Sequence, residues 1–242
     1  MVVRSRERFW VDGTLSTSIG LCTDSLPPPA MAAQRYTEWA TGLDCDRSSP
    51  DNVFDNVEYT FQARMLRAPD SFDSAAVYSF FANAQTISLS TVPNFYYKIR
   101  RVVSVVPEAD PIYRGNEIVY TVTLLLAPFK YLLANTEITN VSGIIQNPGT
   151  RYARPLYRLY DLTSGTNEVR LTVNGSTFKV SGIANLGITN LYVDADKMIC
   201  YDQANRNLMP YSTGQLPFLN PGANSVLGTY AKVALTMNAR CY

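Results

Sequence analysis

Three turn signatures in the second half of the chain limit its fold more than any other feature: Asn147-Pro148-Gly149, Asn174-Gly175 and Asn220-Pro221-Gly222. Asn-Gly between alternating apolar runs is the strongest short hairpin signal, because a type I′ turn needs positive φ at both central residues. In Asn147-Pro148-Gly149, proline presets the first central position and glycine supplies the positive φ of the second, which predicts a type II turn. The runs around these turns are short and rich in β-branched and aromatic residues: Ile138 to Ile145, Leu156 to Leu162, Val169 to Val173, Ser176 to Val180, Ile188 to Val193, Met198 to Tyr201 and Val226 to Met237. Many short strands at even spacing predict a β-sandwich.

The first half is also mainly β. Strands are expected at Arg4 to Val11, Val57 to Leu66, Thr86 to Ser90, Phe95 to Val106, where Pro107 ends the run, and Ile118 to Ala127. Only Asp70 to Ala84 changes period. Ala76, Val77, Phe80 and Phe81 fall on one helical face with Phe72, and Asp70 or Ser71 can cap the start, so this apolar stripe reads as core. Leu15 to Arg35 is irregular, and Pro27-Pro28-Pro29 favours polyproline geometry. That stretch suits an extended arm ordered by assembly as well as it suits an ordinary surface loop. A chain of 242 residues is comfortable for two domains, and a change of texture near Leu133 divides it into residues 1–134 and 135–242.

No histidine occurs in the chain, which removes Ser-His-Asp and Cys-His nucleophile systems and imidazole metal ligands. Cys22, Cys45, Cys200 and Cys241 are dispersed, as free or buried thiols are, and lack the clustered pairs of a zinc site. Asp194, Asp196 and Asp202 lack the glycine and terminal glutamate of a calcium loop. No Walker loop or dinucleotide fingerprint is present, so no catalytic residue, metal or cofactor is expected. A net charge of +1 argues against wrapping nucleic acid. Tyr120 to Ala134 is too short to span a bilayer and carries Pro128 and Lys130, and the first residues have charges where a signal peptide needs an apolar run; the chain reads as soluble and cytoplasmic in origin.

Arg151, Arg154 and Arg158 interleave with tyrosines in NPGTRYARPLYRLY. Strand neighbours alternate faces, so the cluster should split, with its arginines solvated or touching neighbouring protein. The same alternation leaves one of Arg100 and Arg101 solvated and the other paired. The many tyrosines suit sandwich surfaces and interfaces, and no motif marks a sugar site.

Taken in order, NPGTRYARPLYRLY, VRLTVNGSTFKV, LYVDADKMICYDQANRN and LPFLNPGANSV resemble the carboxyl-terminal domain of the distal tail protein family of long-tailed bacteriophages. In the first half, TGLDCD, VEYTFQARML, FYYKIRRV and LLLAPFKY follow the same family more loosely. The resemblance implies a mainly β, two-domain protein. Its amino-terminal β-sandwich would carry one helix and an extended arm or hairpin that builds a ring, and its carboxyl-terminal sandwich would be galectin-like. It further implies a non-enzymatic virion protein of the tail tip, assembled in the host cytoplasm into a hexameric homo-oligomer. That ring would join the tail tube protein to a baseplate or tail-tip hub, dock receptor-binding proteins, let DNA only pass through its channel and insert in no membrane. A carbohydrate-binding module gripping host-wall polysaccharide is the alternative, and another tube or hub component is a third reading.

Overall fold

The computed structural model describes residues 7–39, 47–66, 74–108, 117–162 and 165–242. It divides into two compact units, one drawn from the residues up to Tyr131 together with Tyr242, the other Leu132–Cys241. The fold is mainly antiparallel β with a single described α-helix.

In the first unit the strands are β1 (Phe9–Val11), β2 (Thr14–Leu15), β3 (Leu21–Cys22), β4 (Gln34–Trp39), β5 (Arg47–Phe54), β6 (Val57–Leu66), β7 (Thr86–Leu89), β8 (Phe95–Pro107) and β9 (Glu117–Leu132). The main sheet runs β2-β1-β7-β8-β9-β6-β3, and β4 and β5 form a separate two-stranded sheet. Alternation along β6 decides its faces: Tyr59, Phe61 and Ala63 are buried, whereas Glu58, Thr60 and Gln62 are exposed. Opposite them on β9 stand Leu124, Val122 and Tyr120, all buried. Helix α1 (Ser74–Ala82) closes this core with Val77 and Phe81, four residues apart on one face. Phe9 sits among Phe61 at 5.1 Å, edge to face, and Phe81 at 6.2 Å, stacked. Burying such a ring is worth about 2–3 kcal/mol.

Several expectations change here. Asp70, Ser71 and Phe72, Thr41 to Asp46 (Cys45 among them) and Arg4 to Arg6 lie outside the described residues. The irregular Leu15 to Arg35 stretch contains a 3-10 turn, Ser16–Ile19, and β3, and it reaches the start of β4 with Leu26 and Ala32 buried. Strand β9 continues past Ala127 through Pro128 to Leu132, because pairing with β6 ends at Leu126 opposite Val57, so on that side proline's missing N–H breaks no ladder bond. Arg100 and Arg101 are both exposed, and neither forms an ion pair with a described residue. An Asp12-Gly13 turn, with φ of 47° and 78°, joins β1 to β2 and was legible as a hairpin signal that the pattern reading passed over.

The second unit is a sandwich of two five-stranded sheets. Its strands are β10 (Glu137–Ile138), β11 (Gly143–Asn147), β12 (Leu156–Tyr160), β13 (Glu168–Val173), β14 (Ser176–Ser181), β15 (Leu191–Asp194), β16 (Ile199–Asp202), β17 (Ser212–Thr213), β18 (Gly222–Thr229) and β19 (Lys232–Thr236). One sheet runs β10-β19-β12-β15-β16, the other β11-β18-β13-β14-β17. Tyr157, Leu159, Leu191, Val193, Cys200, Val233 and Leu235 from the first meet Leu171, Val173, Phe178, Val180 and Val226 from the second in one core.

The predicted strand Ile138 to Ile145 is two strands in two sheets, and so is Val226 to Met237. The chain turns the sandwich corner between them, at Asn140 (φ 53°) and Gly143 (φ 110°) on one side and at Tyr230 (φ 66°) on the other. Both segments stay antiparallel around the bend: Glu137 faces Thr236, Val141 donates its N–H to the Val233 carbonyl at 2.8 Å, and Gly143 faces Val226. Buried Val141 fills the corner. At the unit's ends, the Leu132 N–H donates to the Ala239 carbonyl at 3.3 Å. Asn135 and Asn238 form a reciprocal pair, the Asn135 amide on Asn238 Oδ1 at 2.6 Å and the Asn238 N–H on Asn135 Oδ1 at 2.9 Å.

Candidate functional site

The three turn signatures converge on buried asparagines. Asn174 and Gly175, at φ 49° and 81°, make the type I′ turn between β13 and β14. Asn174 accepts the Ser225 N–H at 2.9 Å and donates to Asn224 Oδ1 at 2.8 Å. Asn224 in turn accepts the Asn220 N–H at 2.7 Å and donates to the carbonyls of Asn220 and Gly222 at 2.8 Å. Asn147 donates to the carbonyls of Arg151, Leu219 and Asn220 and accepts the Gly149 N–H at 2.9 Å. The Gly149 prediction fails. Its φ is not positive, and a side chain there would put Cβ 2.5 Å from the Arg240 carbonyl oxygen, so glycine permits close backbone approach. Gly222, at φ 84°, is the one that supplies a left-handed residue.

Arginines 151 and 154 gather, contrary to the alternation argument, because residues 151–155 are held by single bridges, Arg151 to Arg240 and Ala153 to Leu219, and not by a ladder. Around the Tyr152 ring stand Arg240 at 4.3 Å, Arg151 at 5.8 Å and Arg154 at 5.9 Å. Arg240 also donates from Nε and Nη2 to the Tyr152 carbonyl at 3.0 and 2.7 Å. Burial pushes the Tyr152 phenol up, but hydrogen bonds from Arg240 and Arg154 and their charges outweigh it and hold the phenol below its ordinary value. Arg240 escaped the sequence reading because nothing local links it to Tyr152.

The aspartates serve their own turns. Asp194 accepts the N–H groups of Asp196 and Lys197 at 3.1 and 3.0 Å, and Asp202 accepts those of Ala204 and Arg206 at 2.9 and 2.8 Å. Asp194 pairs across the hairpin with Ile199, whereas Asp202 pairs with Leu191, so the two carboxylates sit at opposite ends. Among the described residues no group of acidic or cysteine side chains could hold a metal ion.

Arg158 parts from the other arginines. It lies on the outer face of the β10-β19-β12-β15-β16 sheet, since its neighbours Tyr157 and Leu159 are core. In register across that sheet stand Ala234, Arg158, Tyr192 and Tyr201, and Asn207 bridges to Tyr201 beyond the edge strand. Arg158 grips Glu137 as a fork, Nε to Oε1 at 2.9 Å and Nη2 to Oε2 at 2.8 Å, and this pairing raises the guanidinium's pKa further. Its guanidinium lies 4.8 Å from the Tyr160 ring centre. The Tyr160 hydroxyl donates to Asn140 Oδ1 at 2.7 Å and accepts the Asn140 N–H at 3.3 Å. Tyr192 and Tyr201 stack at 5.1 Å and 13°. Each member is half-buried or exposed except Ala234, which is fully buried.

No protein-family model and no curated protein matches the chain. Its two β units are similar to the fold of a solved component of a phage adsorption apparatus. That structure is the Dit protein of phage SPP1, described as a paradigm of the hub adsorption apparatus in Gram-positive-infecting phages; the match has a TM-score of 0.69 at 14% identity and covers 96% of this chain and 98% of that one. The mainly β architecture expected from the distal tail resemblance is therefore the observed fold.

Proposed function

We propose that the chain is a non-enzymatic structural protein of a phage tail tip, a distal tail protein that closes into a hexameric ring. The ring joins the tail tube protein to the baseplate or tail-fibre hub, surrounds a channel through which DNA passes, and offers a platform to receptor-binding proteins; its place is the virion. The observation that carries this reading is that the likeness to the SPP1 hub protein spans nearly the whole of both chains, both β units included. In this reading the first unit, with its separate β4–β5 hairpin, builds the ring, and the second, a galectin-like sandwich, faces outward. A cyclic ring uses one head-to-tail contact repeated until it closes, each burying on the order of 800 Å² per partner.

Light scattering on the purified protein over a range of concentrations, alone and with the tail tube protein, tests it. A closed assembly of hexamer mass in either condition is expected. A strict monomer in both, together with its absence from purified virions by immunoblot, would overturn the reading.

A further inference from the structure

We propose that the outer face of the β10-β19-β12-β15-β16 sheet is a platform for a neutral polysaccharide, with Tyr192 and Tyr201 stacking on sugar rings while the Arg158–Glu137 fork and Asn207 read hydroxyls. The proposal stands on the second unit alone and does not depend on ring formation.

A pyranose presents an apolar C–H face and a rim of adjacent hydroxyls, each of which both donates and accepts. Its complement is an aromatic ring beside a fixed donor–acceptor pair, and the row supplies both. Guanidinium carries five N–H donors, and Glu137 occupies two of them, so three remain. Each Glu137 oxygen keeps a free lone-pair direction. The exposed Asn207 adds an amide at the far end of the row, its Oδ1 accepting the Met209 N–H at 3.0 Å and its NH₂ group bringing two further donors.

Preorganisation favours the site. The fork is locked by two bonds, the Tyr160 ring beneath Arg158 is fixed by Asn140, and the two tyrosines hold each other. Little side-chain freedom is left to lose on binding.

Charge selects the class. Arg158 and Glu137 cancel, so the pair offers an anion no net charge, and a phosphate on the remaining donors would lie beside the Glu137 carboxylate and be repelled by it. Length selects a polymer. Three inter-strand steps of about 4.8 Å carry the accessible row from Arg158 to Asn207, about 14 Å, longer than one sugar ring.

Arginine and tyrosine also serve as protein hot spots. Protein docking on this unit finds better anchors on the other sheet, where Ile144 on β11 and Leu227 on β18 are 75% and 52% exposed. The tyrosine row itself contains no aliphatic side chain larger than alanine.

The test runs the full chain on an array of neutral hexose and N-acetylhexosamine oligosaccharides, with poly(glycerol phosphate) and inorganic phosphate as anionic probes. Retention by at least one neutral oligosaccharide is expected, weakened about ten-fold or more in Tyr192→Ala, Tyr201→Ala and Arg158→Gln. Tyr192→Phe, which keeps the ring, and Arg170→Gln, on the other sheet, should retain it. Asn207→Ala, at an exposed side chain outside any strand, gives a weakened variant whose folding is not at stake; protection of the buried Cys200 thiol verifies the fold of the others. The proposal is overturned if no neutral oligosaccharide is retained at millimolar concentration, if only the anionic probes bind, or if both tyrosine-to-alanine variants bind like the parent.

Discussion

Replacing Asn224 by alanine should destabilise the second unit while leaving the first untouched. Asn224 is 1% exposed and its amide makes four hydrogen bonds, two received from the Asn220 N–H and Asn174 and two given to the carbonyls of Asn220 and Gly222. A net contribution of about 1 kcal/mol per bond, less what water restores at the half-buried partners, gives a loss of about 2–4 kcal/mol. With a urea dependence of about 2 kcal/mol per molar, the midpoint should fall by about 1–2 M. The chain provides separate reporters. Trp10 and Trp39, its two tryptophans, both belong to the first unit, whereas fully buried Cys200 belongs to the second. Thiol labelling followed by peptide mapping should show Cys200 opening at lower urea, with the tryptophan transition unchanged. Asn224→Asp, whose carboxylate cannot donate to either carbonyl, should cost at least as much at neutral pH. Combining Asn224→Ala with Asn174→Ala should cost less than the sum, since the two share a bond. A Cys200 midpoint within about 0.3 M of the parent, about 0.6 kcal/mol by the same urea slope, would refute the claim that these amides hold the turns together.

Two further outcomes follow from the same unit. Gly149→Ala should lower stability by about 1–3 kcal/mol in thermal denaturation, because its Cβ meets the Arg240 carbonyl; an unchanged melting temperature would show that the contact relaxes freely. Burial pushes the Cys200 thiol up to about 12 from its ordinary 9.0. A raised pKa stabilises the folded state below the unfolded value, so this contribution should be lost progressively as pH rises from about 9 towards 12, at up to about 1.4 kcal/mol per pH unit. Cys200→Val should flatten that part of the alkaline stability profile, and an identical profile in both proteins would assign the loss to other groups.

Much of this architecture was legible because period-two alternation and turn chemistry are local. Val57–Leu66 falls where its pattern puts it, and Asn174-Gly175 makes its hairpin. What escaped is what locality cannot encode. The strands expected at Ile138 to Ile145 and Val226 to Met237 bend from one sheet to the other, and an apolar residue reads alike whether it serves one sheet or the corner between two. Gly149 was assigned the wrong duty for a similar reason: the atom that crowds it belongs to Arg240, far along the chain. The tyrosine row is a product of register. Arg158, Tyr192, Tyr201 and Asn207 carry no shared spacing, and only the pairing of β12, β15 and β16 sets them in line.

The pairing of Leu132 with Ala239 and of Asn135 with Asn238 means that the second unit begins and ends at the same spot. A segment with touching ends behaves as a cassette. It can be removed and its gap closed by a short linker, or exchanged for another sandwich with the same end-to-end distance, without asking the remaining chain to span new ground. Under such wiring the surfaces of the two units become separately heritable, and a change of surface chemistry in one unit leaves the construction plan of the other intact.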